Sequence, residues 1–281
     1  MTKKTLVGAH VSASGGLQNA PLNAAKLGLD CCQFFSRPPQ GGRVAPVSKE
    51  QASLFQKSCE QAGISQCFIH APYIINLASS EERIRRNSIE IIRTELERAD
   101  ALGVQAMMTH IGSATGVGEE RGLELAIAGV REIAAAYDGP VKFLLEISAG
   151  AGMVIGDTFE EIGAIIKAVG DERLAVCFDT AHAFASGYDL RDATAVAETV
   201  KKFDKAIGTE KLFMSHVNDS KVELGTRKDR HEHIGQGHIG TAGFMAILAS
   251  PAFAGKPLIL ETPDDEHRLS DVDLLKKWRD S

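Results

Sequence analysis

The sequence lacks the long hydrophobic runs, repeats and low-complexity stretches that mark several protein classes. No apolar run in its 281 residues approaches the roughly 18 residues of a membrane-spanning helix. No linker or sequence repeat divides the chain, which argues against a solenoid or a string of domains. The start, MTKKTLVGAH, has no small-residue cleavage site typical of a signal peptide. These absences predict a cytoplasmic protein with no membrane segment and one domain over residues 1–281.

The sequence also lacks paired cysteines and an excess of basic residues. Its five cysteines are odd in number, lie in apolar runs and never show Cys-x-x-Cys spacing, which favours buried thiols over disulfides or a cysteine-zinc site. The 31 basic residues are outnumbered by 37 acidic ones, giving a net charge of −6. Bulk charge therefore does not attract nucleic acid, and any polyanionic partner must be bound by a local patch.

What the chain does contain is a rhythm of short apolar runs that alternate with amphipathic stretches. The eight runs are LVGAH (6–10), CCQFF (31–35), QCFIH (66–70), QAMMTH (105–110), VKFLLE (141–146), LAVCFD (174–179), KLFMSH (211–216) and PLILE (257–261). Apolar strands separated by helices indicate a parallel sheet covered on both faces. Eight such units predict an α/β fold, a single (β/α)8 TIM barrel, with a doubly wound sheet as the alternative. Ser79 with Glu82, at capping-box spacing, and Gly103 predict the ends of one helix.

Ionisable side chains end seven of the eight runs. They are His10, His70, His110, Glu146, Asp179, His216 and Glu261. All strands of a parallel barrel direct their carboxyl ends to one mouth, so these side chains should converge there. Histidines and carboxylates without cysteine suit zinc, manganese or iron, and several carboxylates help to neutralise more than one ion. The sequence therefore predicts a metal site at the mouth.

Further candidate ligands lie beyond the strand ends. His182 follows Asp179 by three residues in LAVCFDTAHAF (174–184), and Asp229 and His231 are two apart in RKDRHEHIGQGHIG (227–240). In an extended loop, residues two apart face the same side, so we expect a third metal here. Without the first cluster, a solvated charge run would be the better interpretation of residues 229–232.

Six segments, in order over nearly the whole chain, resemble the endonuclease IV family of apurinic/apyrimidinic endonucleases. They are GAHVSASGG (8–16), HAPYIINLAS (70–79), CFDTAHAFASGYDL (177–190), HVNDSK (216–221), DRHEHIGQGHIG (229–240) and PLILETP (257–263). The resemblance implies a zinc-dependent barrel that acts in base excision repair on double-stranded DNA. It implies hydrolysis on the 5′ side of abasic sites, leaving a 3′ hydroxyl, and removal of 3′ blocking groups. We also expect a monomer.

The resemblance further implies three zinc ions per chain, with manganese as an alternative at one site. The first ion would be bound by His70, His110 and Glu146, the second by Glu146, Asp179, His216 and Glu261, and the third by His182, Asp229 and His231. Glu146 and Glu261 are the predicted catalytic residues. Zinc lowers the pKa of bound water from about 16 to about 7, which supplies a nucleophile at neutral pH. Whether Glu261 also orients or deprotonates that water, or only binds metal, stays open.

Predicted DNA contacts rest on fewer residues. Tyr73 and Ile74 match family positions that push into the duplex and hold the abasic nucleotide out, although both could instead pack on the barrel rim. The candidate phosphate contacts are Lys221, Arg227, Lys228 and Arg230, and Arg37 and Arg43 are further candidate DNA contacts. The loop SRPPQGGRV (36–44) departs from the family, which usually has asparagine, basic residues and an aromatic there. Ile147 and Ser148 replace the usual Asn-Thr pair, and Ala181 replaces a cysteine.

Two other functions compete with this one. Sugar isomerases and epimerases of the xylose-isomerase-like barrels bind one divalent ion with a Glu, Asp, His, Glu set, which Glu146, Asp179, His216 and Glu261 also fit. The other five candidate ligands have no place in that set. A non-catalytic binder of damaged DNA would agree with the altered loop at 36–44, but a complete ligand set argues against it.

Overall fold

A closed barrel of parallel strands forms the centre of the molecule, whose computed structural model describes residues 4–263 and 267–280. Within these ranges eight strands form the ring in chain order. They are β1 (Val7–His10), β2 (Cys31–Phe34), β3 (Gln66–His70), β4 (Ala106–Thr109), β5 (Lys142–Glu146), β6 (Leu174–Asp179), β7 (Leu212–His216) and β10 (Leu258–Leu260), which pairs with β1. Between β7 and β10, β8 (Asp219–Ser220) and β9 (His231–Glu232) form an antiparallel hairpin. The predicted (β/α)8 barrel is confirmed, and the open doubly wound sheet is excluded.

Helices connect the strands and cover the outside of the barrel. They are α1 (Asn19–Lys26), α2 (Lys49–Ala62), α3 (Glu82–Leu102), α4 (Glu119–Ala136), α5 (Phe159–Val169), α6 (Thr180–Ala185), α7 (Ala193–Ala206), α8 (Gly240–Ala249) and α9 (Arg268–Arg279). The capping box predicted for α3 is wrong, because the N-cap is Glu81 and Ser79 Oγ accepts from the Glu81 N–H at 3.1 Å. Gly103 ends α3 as predicted, with a left-handed φ of 74°.

Two layers of side chains fill the interior of the barrel. The lower layer is apolar and contains Cys31, Phe68, Met108, Leu144, Cys177, Met214 and Ile259. Successive inward-facing residues on a strand are two apart, so the next position along the chain belongs to the layer above. These positions hold Gln33, His70, His110, Glu146, Asp179, His216 and Glu261, joined by His10 from β1. A polar layer therefore lies on the apolar one at the carboxyl-terminal mouth.

An ion-pair group joins α9 to the opposite end of the barrel. Asp30 accepts from the Val7 N–H at 3.0 Å and pairs with Lys276 at 3.1 Å and Arg279 at 2.6 Å. Burial opposes ionisation of this carboxyl, but the N–H group and the two cations outweigh it and lower the pKa of Asp30. The carboxylate thus fixes the last helix against the starts of β1 and β2.

The predicted state of the cysteines is confirmed. All five are free thiols, and four of them are buried. Among the described residues, none of the helices combines the length and apolar character that crossing a membrane requires. That residues 1–281 form one domain stays a prediction.

Candidate metal centre

Glu146, at the end of β5, lies at the centre of the polar layer and is fully buried. Its Oε2 atom lies 3.2 Å from His110 Nε2 and 3.8 Å from His70 Nε2. In the described part of the chain this oxygen has no hydrogen-bond partner. A buried carboxylate oxygen is costly unless a donor or a cation binds it. The structure thus brings together the first predicted ligand group around an oxygen suited to a cation.

The second predicted group shares Glu146 with the first. One ligand atom from each of Glu146, Asp179, His216 and Glu261 lies within 4.8 Å of the others. His216 Nδ1 is 2.7 Å from Glu146 Oε1, 3.2 Å from Glu261 Oε2 and 3.7 Å from Asp179 Oδ2. Because the two Glu146 oxygens face different groups, this side chain is placed to bridge two cations.

The third predicted group forms where α6 meets the β8–β9 hairpin. Asp229 Oδ1 lies 3.3 Å from His182 Nε2 and 3.3 Å from His231 Nε2, and the two imidazole nitrogens are 3.4 Å apart. His182 and His231 also form a compact ligand group with Asp179, which caps α6 by accepting from the His182 N–H at 2.8 Å. All nine predicted ligands therefore lie in one connected cluster.

A buried carboxylate holds the hairpin that carries His231. Asp219, in β8, accepts from the backbone N–H groups of Gly235, Gly237, Ile239 and Gly240 at 2.9–3.1 Å. A Cβ atom at Gly237 would lie 2.5 Å from Asp219 Oδ1, so this position requires glycine. The glycines of HIGQGHIG thus form a cradle of N–H groups around the protein's own carboxylate.

Backbone carbonyls select the tautomer of three histidines in the cluster. The Nδ1–H groups donate from His70 to Ala71, from His182 to Ile147 and from His231 to Glu261, at 2.5, 2.9 and 3.1 Å. Each Nε2 atom then keeps its lone pair for a cation, as metal-binding histidines require. Ile147 makes its contact through the backbone, which explains why its departure from the family's asparagine leaves this support intact.

The cluster shifts the pKa values of its own members. Burial opposes ionisation of Glu146, but the neighbouring imidazoles outweigh it and lower its pKa to about 2. Burial also opposes the charged form of His182, yet Asp179 and Asp229 raise its pKa to about 10. Burial lowers the pKa of His70 to about 4. Ionised carboxylates beside neutral and protonated imidazoles fit divalent cations, which would replace the protons.

An open cavity of about 960 Å³ reaches the cluster. Glu261, Asp229 and His231 line it on the side of the ligands, and His10 and Tyr73 also contribute. The Glu261 side chain is 17% exposed, whereas that of Glu146 is fully buried. Of the two predicted catalytic carboxylates, Glu261 is therefore the one that a molecule in the cavity can reach.

The predicted DNA-contacting residues fall into exposed and buried positions. Tyr73 and Ile74 are 67% and 41% exposed, so neither is packed away in the rim. Arg43 is exposed in the loop after β2. The predicted basic residues of the loop between β8 and β9 are exposed as well, namely Lys221, Arg227, Lys228 and Arg230. Two of these already have acidic partners, because Lys221 lies 3.7 Å from Glu232 and Arg227 pairs with Asp157.

Arg37 occupies a different environment from the one expected. Its side chain is 4% exposed, and Nε donates to Glu95 Oε1 of α3 at 2.5 Å. Nη1 donates to the Gly42 carbonyl at 3.1 Å within the same loop. These contacts give Arg37 a structural role, and because it also lines the open cavity its DNA contact stays a prediction.

Two amides beside the ligands were missed by sequence reasoning. Asn218 Nδ2 donates to Asp179 Oδ2 at 2.8 Å, and its Oδ1 accepts from the Glu261 N–H at 2.7 Å. Gln33 lies between His216 and Glu261 at 2.8 and 2.6 Å. Asn218 lies two residues after the end of β7, outside the strand, so no alternation of inward-facing residues identifies it. Gln33 could have been found, because it lies two residues beyond the inward-facing Cys31.

Comparisons with known proteins agree with this architecture. Residues 21–281 match the family of xylose isomerase-like TIM barrels. The chain is 39% identical over 266 residues to a probable endonuclease 4 of Chloroflexus aggregans, covering 94% of this chain and 93% of that protein. The crystal structure of endonuclease IV from Thermus thermophilus superposes with a TM-score of 0.85 and 32% identity, covering 98% and 99% of the two chains. A D-tagatose 3-epimerase-like protein has a TM-score of 0.77 at 21% identity over 98% and 97%, which shows a shared fold alone. The chain therefore belongs to the endonuclease IV family, within the xylose isomerase-like TIM barrels.

Proposed function

We propose that this protein is a metal-dependent DNA repair endonuclease that hydrolyses the phosphodiester on the 5′ side of abasic sites. It leaves a 3′ hydroxyl and also removes 3′ blocking groups. The observation that carries the proposal is the cluster of nine nitrogen and oxygen ligands, in which Asp229 is connected through His182 and His231, beside an open cavity. The names of the relatives, which are endonucleases 4, support the same activity. The cytoplasmic location and the monomeric state belong to the proposal as predictions.

The ligand groups support binding of three divalent ions. We assign zinc to all three, with manganese as the alternative at one. The first would be held by His70, His110 and Glu146, the second by Glu146, Asp179, His216 and Glu261, and the third by His182, Asp229 and His231. When bound, such ions activate water at neutral pH and neutralise negative charge on phosphodiester oxygens. A trinuclear set suits a substrate with concentrated negative charge better than a neutral sugar.

The carboxylates have separate tasks in this proposal. Glu146, buried and surrounded by imidazoles, belongs to two ligand groups and joins them. Glu261 faces the cavity, so it is placed to orient the attacking water. Its backbone carbonyl also fixes the tautomer of His231, which couples the two ends of the cluster.

DNA binding is assigned to the exposed side chains around the mouth. Tyr73 and Ile74 form a wedge suited to fill the space left by a flipped abasic nucleotide. Arg43, Lys228 and Arg230 are exposed cations for the phosphates on either side. A local basic loop of this kind lets an acidic protein bind a polyanion.

The isomerase alternative explains only part of the cluster. It uses Glu146, Asp179, His216 and Glu261 and leaves five clustered ligands without a task. The fold shared with epimerase-like proteins does not separate the two activities. The non-catalytic binder leaves the cavity-facing carboxylate of Glu261 unexplained.

Metal analysis of two variants tests the proposal. Glu146→Gln weakens two ligand groups together, so we expect it to lose about two zinc ions per chain and nearly all nicking of an abasic duplex. His231→Ala should lose about one zinc ion, from the third group. His238→Ala replaces an exposed histidine of the same loop and serves as the matched control. Zinc is counted by mass spectrometry on the samples used for nicking.

Two results would contradict the assignment. A Glu146→Gln protein with full zinc and full nicking activity would rule out the bridging role. One manganese or magnesium ion per wild-type chain, with no nicking, would favour the sugar isomerase instead.

A further inference from the structure

His216 differs from His70, His182 and His231 in the way its ring is held. It faces the carboxylates with Nδ1, at 2.7 Å from Glu146 and 3.2 Å from Glu261. If Nδ1 binds a cation, the ring proton must lie on Nε2, where it needs an acceptor. That acceptor is a side chain, Gln33 Oε1 at 2.8 Å, and not a backbone carbonyl. The orientation of this ligand therefore depends on the identity of residue 33.

Gln33 uses its whole amide group in the polar layer. Its carbonyl oxygen accepts from His216, and its Nε2 lies 2.6 Å from Glu261 Oε1 and 3.0 Å from His10 Nδ1. The opposite amide orientation would direct an oxygen at the Glu261 carboxylate and an N–H at the His216 N–H. Only one orientation satisfies every partner, so the amide is determined by its surroundings.

Gln33 is also shielded from competing partners. It is fully buried at the end of β2, in the inward position that the other strands fill with metal ligands or His10. A buried amide linked to two ligands restricts the His216 ring and the Glu261 carboxylate to one geometry. A methionine of similar length would fill the space and leave the His216 N–H and Glu261 Oε1 without this partner.

We propose that Gln33 is a positioning residue that holds His216 and Glu261 in the orientations required by the second ligand group, a role that rests on the proposed function. It acts through two ligands at once, as acceptor to one and donor to the other. It contacts neither the DNA nor the reacting atoms. Its loss should therefore change metal retention and turnover and leave DNA binding unaffected.

The test compares Gln33→Met and Gln33→Glu with wild type. For Gln33→Met we expect zinc release to a chelator to be 10–100-fold faster, on the order of typical losses for partners of metal ligands. The kcat for abasic-site nicking should fall by a similar factor, with KM within about twofold. Gln33→Glu keeps an acceptor for His216 but turns a carboxylate oxygen towards Glu261. It should therefore not restore wild-type zinc release or kcat. Gln105→Met, which loses hydrogen bonds to Cys67 and Gly103 at the other end of the barrel, is the matched control.

A spectroscopic measurement on wild type makes the test independent of how the variants fold. Long-range ¹H–¹⁵N correlation on the zinc-loaded protein should show His216 protonated on Nε2. A His216 ring protonated on Nδ1 would overturn the proposal, as would wild-type zinc release and kcat in Gln33→Met. Wild-type zinc release and kcat in Gln33→Glu would show that the contact with Glu261 has no part in the role of Gln33. A wild-type protein unable to nick abasic DNA would contradict the proposed function, while zinc release and tautomer state still decide the role of Gln33.

Discussion

Arg37→Ala should destabilise the protein far more than Arg43→Ala, although both arginines belong to the loop SRPPQGGRV. Arg37 is 4% exposed and pairs at 2.5 Å with Glu95, which is fully buried. Removing one partner of a buried ion pair leaves an uncompensated charge and costs about 3–5 kcal/mol. Arg43 is exposed, and such surface substitutions usually change stability by about 0.5 kcal/mol or less.

The neighbours of Glu95 place the expected cost near the lower end of that range. Ser36 Oγ donates to Glu95 Oε2 at 2.6 Å, and it accepts from Arg98 Nε at 2.8 Å. Glu95 thus keeps one hydrogen bond and a second cation close by after Arg37 is removed. We therefore expect a loss of about 3 kcal/mol, corresponding to a fall in Tm of about 6 to 12 °C.

Urea denaturation at neutral pH measures the effect on Arg37→Ala, Glu95→Ala, the double variant and Arg43→Ala. The midpoints should shift with the slope unchanged. Because both single variants break the same pair, the double variant should lose at least about 1 kcal/mol less than their sum. Additive losses, or an Arg37→Ala protein as stable as Arg43→Ala, would refute the buried pair.

Two further predictions concern the mouth and the opposite end of the barrel. Tyr73→Ala with Ile74→Ala should abolish most abasic-site nicking and leave zinc content unchanged. Met245→Ala, which removes a similarly exposed side chain on α8, should leave both nicking and zinc content unchanged. Normal nicking in the double variant would contradict the role of Tyr73 and Ile74 as a wedge. Asp30→Asn should lower stability at pH 7. Because folding lowers the pKa of Asp30, its contribution is present above its unfolded pKa of about 4 and disappears as pH falls through the folded value. Unfolding measured across pH should show the two proteins converging in acid, and a constant difference would contradict this.

Hydrophobic runs were sufficient to predict the barrel, and their ends selected six of the nine ligands that the structure clusters. Parallel strands bring residues that are far apart in sequence, such as His70 and Glu261, to one mouth, so the end of each run carries functional information. His182, Asp229 and His231 lie beyond the strand ends, and their selection depended on the family motifs as well as on spacing.

The remaining features depend on partners that no local pattern identifies. The charge of Arg37 suggested a DNA contact, whereas nothing in the sequence indicated that Glu95, buried on a helix 58 residues further along the chain, holds its side chain. Ser79 has the spacing of a helix cap, yet its hydroxyl accepts from the N–H of Glu81, the N-cap residue, and not from a residue inside the helix. Gln33 was missed because it is uncharged and does not end its apolar run. The alternation of inward-facing residues along β2 would have identified it.

The ends produced from a synthetic abasic duplex test the central claim most directly. The purified protein, replete with zinc and without added magnesium, is incubated with the duplex, and the products are analysed by mass spectrometry. Hydrolysis 5′ to the lesion should leave a 3′ hydroxyl, and prolonged treatment with a strong chelator should abolish it. An unsaturated 3′ aldehyde would indicate a lyase reaction instead. An intact duplex beside epimerisation of a ketose by the same preparation would contradict the account.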